Sequence, residues 1–133
     1  MMFTVQGILW GIFLFFTSWL WHEVSHGLEG FRQTGTLFRI YIDLKSFQIW
    51  MGQGVAVPDG LLFSLAGGIY TSVLFGILSI CTTGFTQWTL LGICWMQLIY
   101  GCYEGFGRGN LAVVRFSIYT IIISIFLIIW WLL

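Results

Sequence analysis

The sequence predicts an all-α membrane protein of about four transmembrane helices, with a short β-like or re-entrant segment between the first and the second. Three observations predict it. Hydrophobic residues make up 59% of the chain and aromatic ones 20%, against 8% charged. That is more apolar surface than one small core can hide, with too few charges to cover an exterior. The apolar residues also gather in four runs, each near the ~20 helical residues that cross ~30 Å of hydrocarbon. Finally, Arg32, Arg39 and Lys45 follow the first run and Arg108 and Arg115 the third, while the loop "CTTGFTQW" after the second carries no cation. The positive-inside rule then puts the cationic side in the cytoplasm and both termini outside.

The elements follow in order. The first run, from about Phe3 to about Gly30, lacks the basic start and small-residue cleavage site of a signal peptide, so it is expected to remain in the mature protein. Next comes "TGTLFRIYIDLKSFQIWMGQGVAVPDG", whose β-branched and aromatic residues, partial alternation through Leu37, Arg39, Tyr41 and Asp43, and closing Gly and Pro indicate short strands. An isolated hairpin is marginal, so it is expected to lie against the helices or in the interface. The second run covers about Leu61 to Ile80. The third covers about Thr89 to Cys102, or starts near Phe85, and the fourth about Leu111 to Leu133. With no repeat and no low-complexity linker, residues 1–133 read as one membrane domain. Cys81, Cys94 and Cys102 show no metal-like pairing and read as packing residues. The eight tryptophans mostly mark helix ends, as interfacial belts do. Zero net charge and the lack of a basic patch argue against nucleic acid as a partner.

Against this apolar background, "WLWHEVSHGLEG" holds both histidines of the chain and two of its five carboxylates. On a helix, His22 and His26 share one face a turn apart and can bind one metal ion, with Glu23 beside them: the HExxH arrangement. Zinc suits neutral imidazoles, and a catalytic zinc keeps a position open for water. Glu23 is badly placed to ligate but well placed to take a proton from a water made acidic by the ion, so it is the candidate general base. The plainer alternative is a set of interfacial polar residues closing a helix. Ionisable groups inside a bilayer cost ~2.5–3.5 kcal/mol each, which favours the metal site.

Two histidines leave a third ligand to find among Glu29, Asp43, Asp59 and Glu104. Glu29 follows His26 on the same helix, which would have to fold back to close the site. Asp43 sits among polar neighbours typical of a solvated face. Asp59, in "VPDG", reads first as a turn residue capping the second helix and only second as a ligand. Glu104 is preferred: it ends the third run in "LIYGCYEGFGRG", on the same side as HEVSH, where glycines let the backbone bend. Its other reading is an ion pair with Arg108 at i+4.

The order of these motifs resembles the site-2 protease family of intramembrane zinc metalloproteases. "HEVSH" matches that family's HExxH, "TLFRIYID…FQIWMGQGVAV" its β-like segment, "SLAGGIYTSVLFGIL" its small-residue AGP helix, and "YGCYEGF" its acidic-Gly motif. Together they cover about residues 10–106. Ala66-Gly67-Gly68 lacks the proline of AGP, and Glu104 stands where the family usually has Asp. The resemblance implies His22, His26 and Glu104 as zinc ligands and Glu23 as catalytic base. The expected reaction is hydrolysis of peptide bonds in membrane-embedded or membrane-associated proteins or peptides, near the cytoplasmic face of a multi-pass protein in the lipid bilayer. The glycines at 101, 105, 107 and 109 would leave room for a polar inlet, and the strand near Thr36 to Ile42 would hold a substrate extended by edge pairing. The alternatives are a metal-binding membrane protein without hydrolytic activity, or a pseudoprotease acting as an assembly subunit, in which case "AGGIYTS" would be a helix-packing face. Either reading is compatible with an oligomer.

Overall fold

The structure, a computed structural model, describes residues 5–45 and 48–107. Helix α1 runs Val5–Thr34, about 45 Å at 1.5 Å per residue. No proline interrupts it. It stops where Gly35 takes a φ of 66° and its N–H bonds the Phe31 carbonyl at 2.8 Å, a left-handed termination that glycine adopts without steric cost. Strands β1 (Arg39–Asp43) and β2 (Gln48–Gly52) form an antiparallel hairpin in which Ile40 faces Met51 and Asp43 faces Gln48. The Asp43 carboxylate accepts the Lys45 N–H at 2.9 Å and shapes the turn between them.

Helix α2 (Gly60–Ile80) opens on Asp59, whose carboxylate accepts the Leu62 N–H at 2.9 Å. Helix α3 (Gly84–Cys102) runs back alongside α2 and passes directly into one wide π-helical turn, Tyr103–Gly107. The two helices cross where Gly68 meets Gly101: a Cβ on either glycine would collide with the backbone of the other. That approach sets how far the end of α3 reaches over α2. Leu14, Phe75, Leu90 and Ile93 form the small apolar core, with Leu74 and Cys94 packed against it.

The hairpin docks on the second half of α1 through two glycines. The Phe38 ring occupies the space a side chain at Gly27 would need, and the Gln53 side chain covers Gly30 while donating to the Gly27 carbonyl at 2.8 Å. This contact carries the end of β2 to the face of α1 that holds Glu23.

The architecture corrects the expectation of a four-span membrane protein. Among the described residues, only α2 is both long and apolar enough to cross a membrane. What is present is a mostly helical small domain of three helices and one hairpin among the described residues. The multi-pass placement fails with it, as does a site near the cytoplasmic face. The physical reason lies in the interrupted runs. The second half of α1 carries Ser18, His22, Glu23, Ser25, His26, Glu29, Arg32 and Gln33, and α3 carries Thr86, Gln87, Thr89 and Gln97. Total apolar content counted those stretches as spans, although several of these polar groups pair inside the fold, Gln97 with His22 and Ser18, and Glu29 with Arg32 and Gln33. The expected fourth run, Leu111 to Leu133, lies outside the described residues.

Candidate metal centre

Helical periodicity turns His22 and His26 to the same side of α1, where both are buried. The π-helical turn after α3 delivers Glu104 to them from the opposite side. Its Oε2 lies 2.9 Å from His22 Nε2 and 3.2 Å from His26 Nε2, and the two nitrogens are 3.1 Å apart. These three residues form a group that could hold a metal ion, with all ligand atoms within 4.8 Å of one another.

The far side of each ring decides what the near side offers. His22 Nδ1 lies 2.9 Å from Gln97 Oε1, and His26 Nδ1 lies 2.7 Å from the Phe63 carbonyl. Both partners only accept, so each Nδ1 carries the proton and each Nε2 presents a lone pair. Three lone-pair bearers therefore face one another at hydrogen-bond distance without hydrogens to share. A cation relieves that arrangement, and so does an added proton. Burial works against charging His26, but the hydrogen bond and charge of Glu104 outweigh it and raise its pKa. Burial likewise pushes Glu104 up, yet once a proton sits on an imidazole Nε2 the hydrogen bonds and charge of His22 and His26 bring its pKa down to about 2.

Gly67 keeps the centre open. A Cβ there would run into Nε2 of both histidines, so the "AGG" stretch of α2 forms a floor without a side chain. The Tyr100 ring stands against His22 with centroids 5.1 Å apart. Glu23 is half-buried beside the rings, and the Met51 N–H at the end of β2 donates to its carboxylate. Burial raises its pKa against the lowering pull of the histidines and of that N–H.

The other carboxylates go elsewhere. Glu29 is fully buried but accepts from Arg32, Gln33 and Tyr70. Asp59 caps α2 and Asp43 shapes the hairpin turn. Arg108, the alternative partner of Glu104, lies outside the described residues. The glycines expected to line an inlet are packed instead: Gly101 on Gly68, Gly105 on Leu65 and Gly107 on Tyr103, with Gly109 outside the described residues. Sequence reasoning missed Gln97, the Phe63 carbonyl and the Met51 N–H. Only Gln97 left a signal, as a lone amide in the apolar stretch "CWMQLIY". No family model, curated protein or solved structure matches this chain.

Proposed function

We propose that this protein is a zinc-dependent endopeptidase, with His22, His26 and Glu104 as metal ligands and Glu23 as catalytic base. The observation that carries the reading is the convergence of two imidazole Nε2 atoms and one carboxylate oxygen on a common point. That donor set suits hydrolytic zinc, which takes three protein ligands and keeps one position free. The separations of 2.9–3.2 Å approach the roughly 3.3 Å between neighbouring ligands at tetrahedral bond lengths of ~2.0–2.1 Å. The resemblance of "HEVSH" and "YGCYEGF" to the site-2 protease motifs supports the same assignment.

Bound zinc would polarise the scissile carbonyl and acidify water. Glu23 supplies the proton transfers: it accepts a proton from the attacking water and returns it to the leaving amine. Burial makes it a better proton acceptor than an exposed carboxylate, and the Met51 N–H fixes where the carboxylate lies. Because that N–H belongs to β2, a peptide held extended against the hairpin would run past the base. This moves the substrate contact from the segment Thr36 to Ile42 toward the end of β2.

The deciding experiment is Glu23→Gln, followed by metal content and cleavage of a denatured protein substrate. The expected result is full zinc occupancy with turnover reduced ~10²–10⁴-fold, the range assigned to general base catalysis. Undiminished cleavage in the variant removes Glu23 as the base, whereas no cleavage by wild type that holds zinc leaves a non-hydrolytic metal-binding protein or pseudoprotease in its place.

A further inference from the structure

The two histidines are held by different kinds of acceptor. His26 leans on a backbone carbonyl of α2, which cannot turn. His22 leans on a side-chain amide, which can. An amide presents an oxygen on one side and an NH2 on the other, and the choice decides the chemistry of the ring it meets.

The choice at Gln97 is made by a third residue. Gln97 is buried, and its Nε2 donates to Ser18 Oγ at 3.1 Å. Ser18 is completely buried and its hydroxyl donates to the Phe15 carbonyl at 2.7 Å, so its oxygen is left to accept. The polarity then runs one way along the row. The Phe15 carbonyl accepts from Ser18, Ser18 accepts from the Gln97 NH2, and the Gln97 oxygen accepts the His22 Nδ1–H at 2.9 Å. Reversing the amide would set its NH2 against a ring nitrogen and its oxygen against the serine oxygen. His22 would then need a lone pair at Nδ1 and a proton at Nε2, the atom that faces His26 and Glu104. Such a ring cannot ligate through Nε2.

We propose that Gln97, its amide oriented by Ser18, is a positioning residue that holds His22 in the tautomer able to bind the metal. The inference rests on the metal centre proposed above and not on peptide hydrolysis. It accounts for two polar side chains, one on α1 and one on α3, that neither the metal ligands nor the base explains. It also ties ligand orientation to the packing of α1 on α3.

The test compares zinc affinity, by competition with a chromophoric chelator, in wild type, Gln97→Met, Gln97→Glu and Ser18→Ala. Gln97→Met keeps the volume and removes the acceptor, and should weaken zinc binding by ~10–100-fold, the usual effect of losing such a partner. Gln97→Glu keeps an acceptor and should bind close to wild type. Ser18→Ala frees the amide to turn and should lose affinity in the same direction but less. Nitrogen-15 shifts of the metal-free imidazoles give a second readout. His22 should be protonated at Nδ1 in wild type and in Gln97→Glu, and mixed in Gln97→Met. Zinc affinity unchanged in Gln97→Met overturns the proposal, as do equal losses in Met and Glu variants, which would mean packing alone. If Gln97→Met fails to fold, wild-type affinity in Ser18→Ala overturns it. Wild type that binds zinc but cleaves no peptide removes the peptidase and leaves this inference standing.

Discussion

Glu29 and Glu104 are both largely removed from solvent, with side chains 0% and 16% exposed. Their surroundings differ in one respect. Glu29 receives four hydrogen bonds of 2.7–2.9 Å, two of them from the guanidinium of Arg32. Glu104 faces two imidazoles whose Nδ1 protons are committed to Gln97 and Phe63. The first cluster has a donor for every acceptor and a permanent cation. The second, in that tautomer, brings three acceptors together, which a metal ion or a proton would relieve. A buried carboxylate that is fully supplied ties helices together; one left short of protons marks a place for a ligand.

The largest expected effect comes from removing one member of each cluster. His26→Ala should lower zinc affinity by more than the ~10–100-fold attached to an outer partner, since a ligand itself is lost. Arg32→Ala should leave zinc content unchanged but lower stability in guanidinium or urea unfolding. The loss should be smaller than that of a fully buried pair, because Arg32 is itself 61% exposed and solvent screens its charge. Loss of zinc in Arg32→Ala, with the helices intact, would erase the distinction between the clusters.

Acid titration sharpens it. The Arg32 hydrogen bonds, with those of Gln33 and Tyr70, lower Glu29 from 4.5 to about 2. Its folded pKa lies below the unfolded one, so the stability it contributes is fully present above about pH 4.5 and is lost as pH falls toward 2. In metal-free protein, stability should therefore decline across that window, and Glu29→Gln should flatten the decline. An equally steep decline in Glu29→Gln would show that other groups carry the acid sensitivity.

The sequence shows these clusters unequally. The HEVSH spacing needs only the period of a helix to put two imidazoles on one face, and "YGCYEGF" marks an acid where glycines allow close approach. The bond from Met51 to Glu23 is not legible, because a backbone N–H has no residue type and its direction depends on how Gln53 and Phe38 seat the hairpin on Gly27 and Gly30. Apolar runs and turn residues mark where helices begin and stop, and Asp59 is readable as a cap. Composition misled at the next level. The polar residues of α1 and α3 look like blemishes on membrane spans until pairs such as His22 with Gln97 and Glu29 with Tyr70 are seen across helices. Such pairing depends on helix packing angles that a linear pattern does not encode.

The smallest effect tests the carboxylate that competed with Glu104. The Asp59 side chain accepts only the Leu62 N–H at 2.9 Å among its described hydrogen bonds, while its backbone exchanges bonds with Gln33, at 2.8 Å from its N–H and 3.2 Å to its carbonyl. Asp59→Ala removes the first and keeps the second, because a backbone bond survives a change of side chain. The cost should be that of a lost N-cap, about 1 kcal/mol, with Asp59→Asn restoring most of it. Zinc affinity should not move in either variant, whereas Glu104→Ala should abolish it. Zinc lost in Asp59→Ala and retained in Glu104→Ala would transfer the third ligand to the start of α2, and Glu104 would then be no more than a hydrogen-bond acceptor for two histidines.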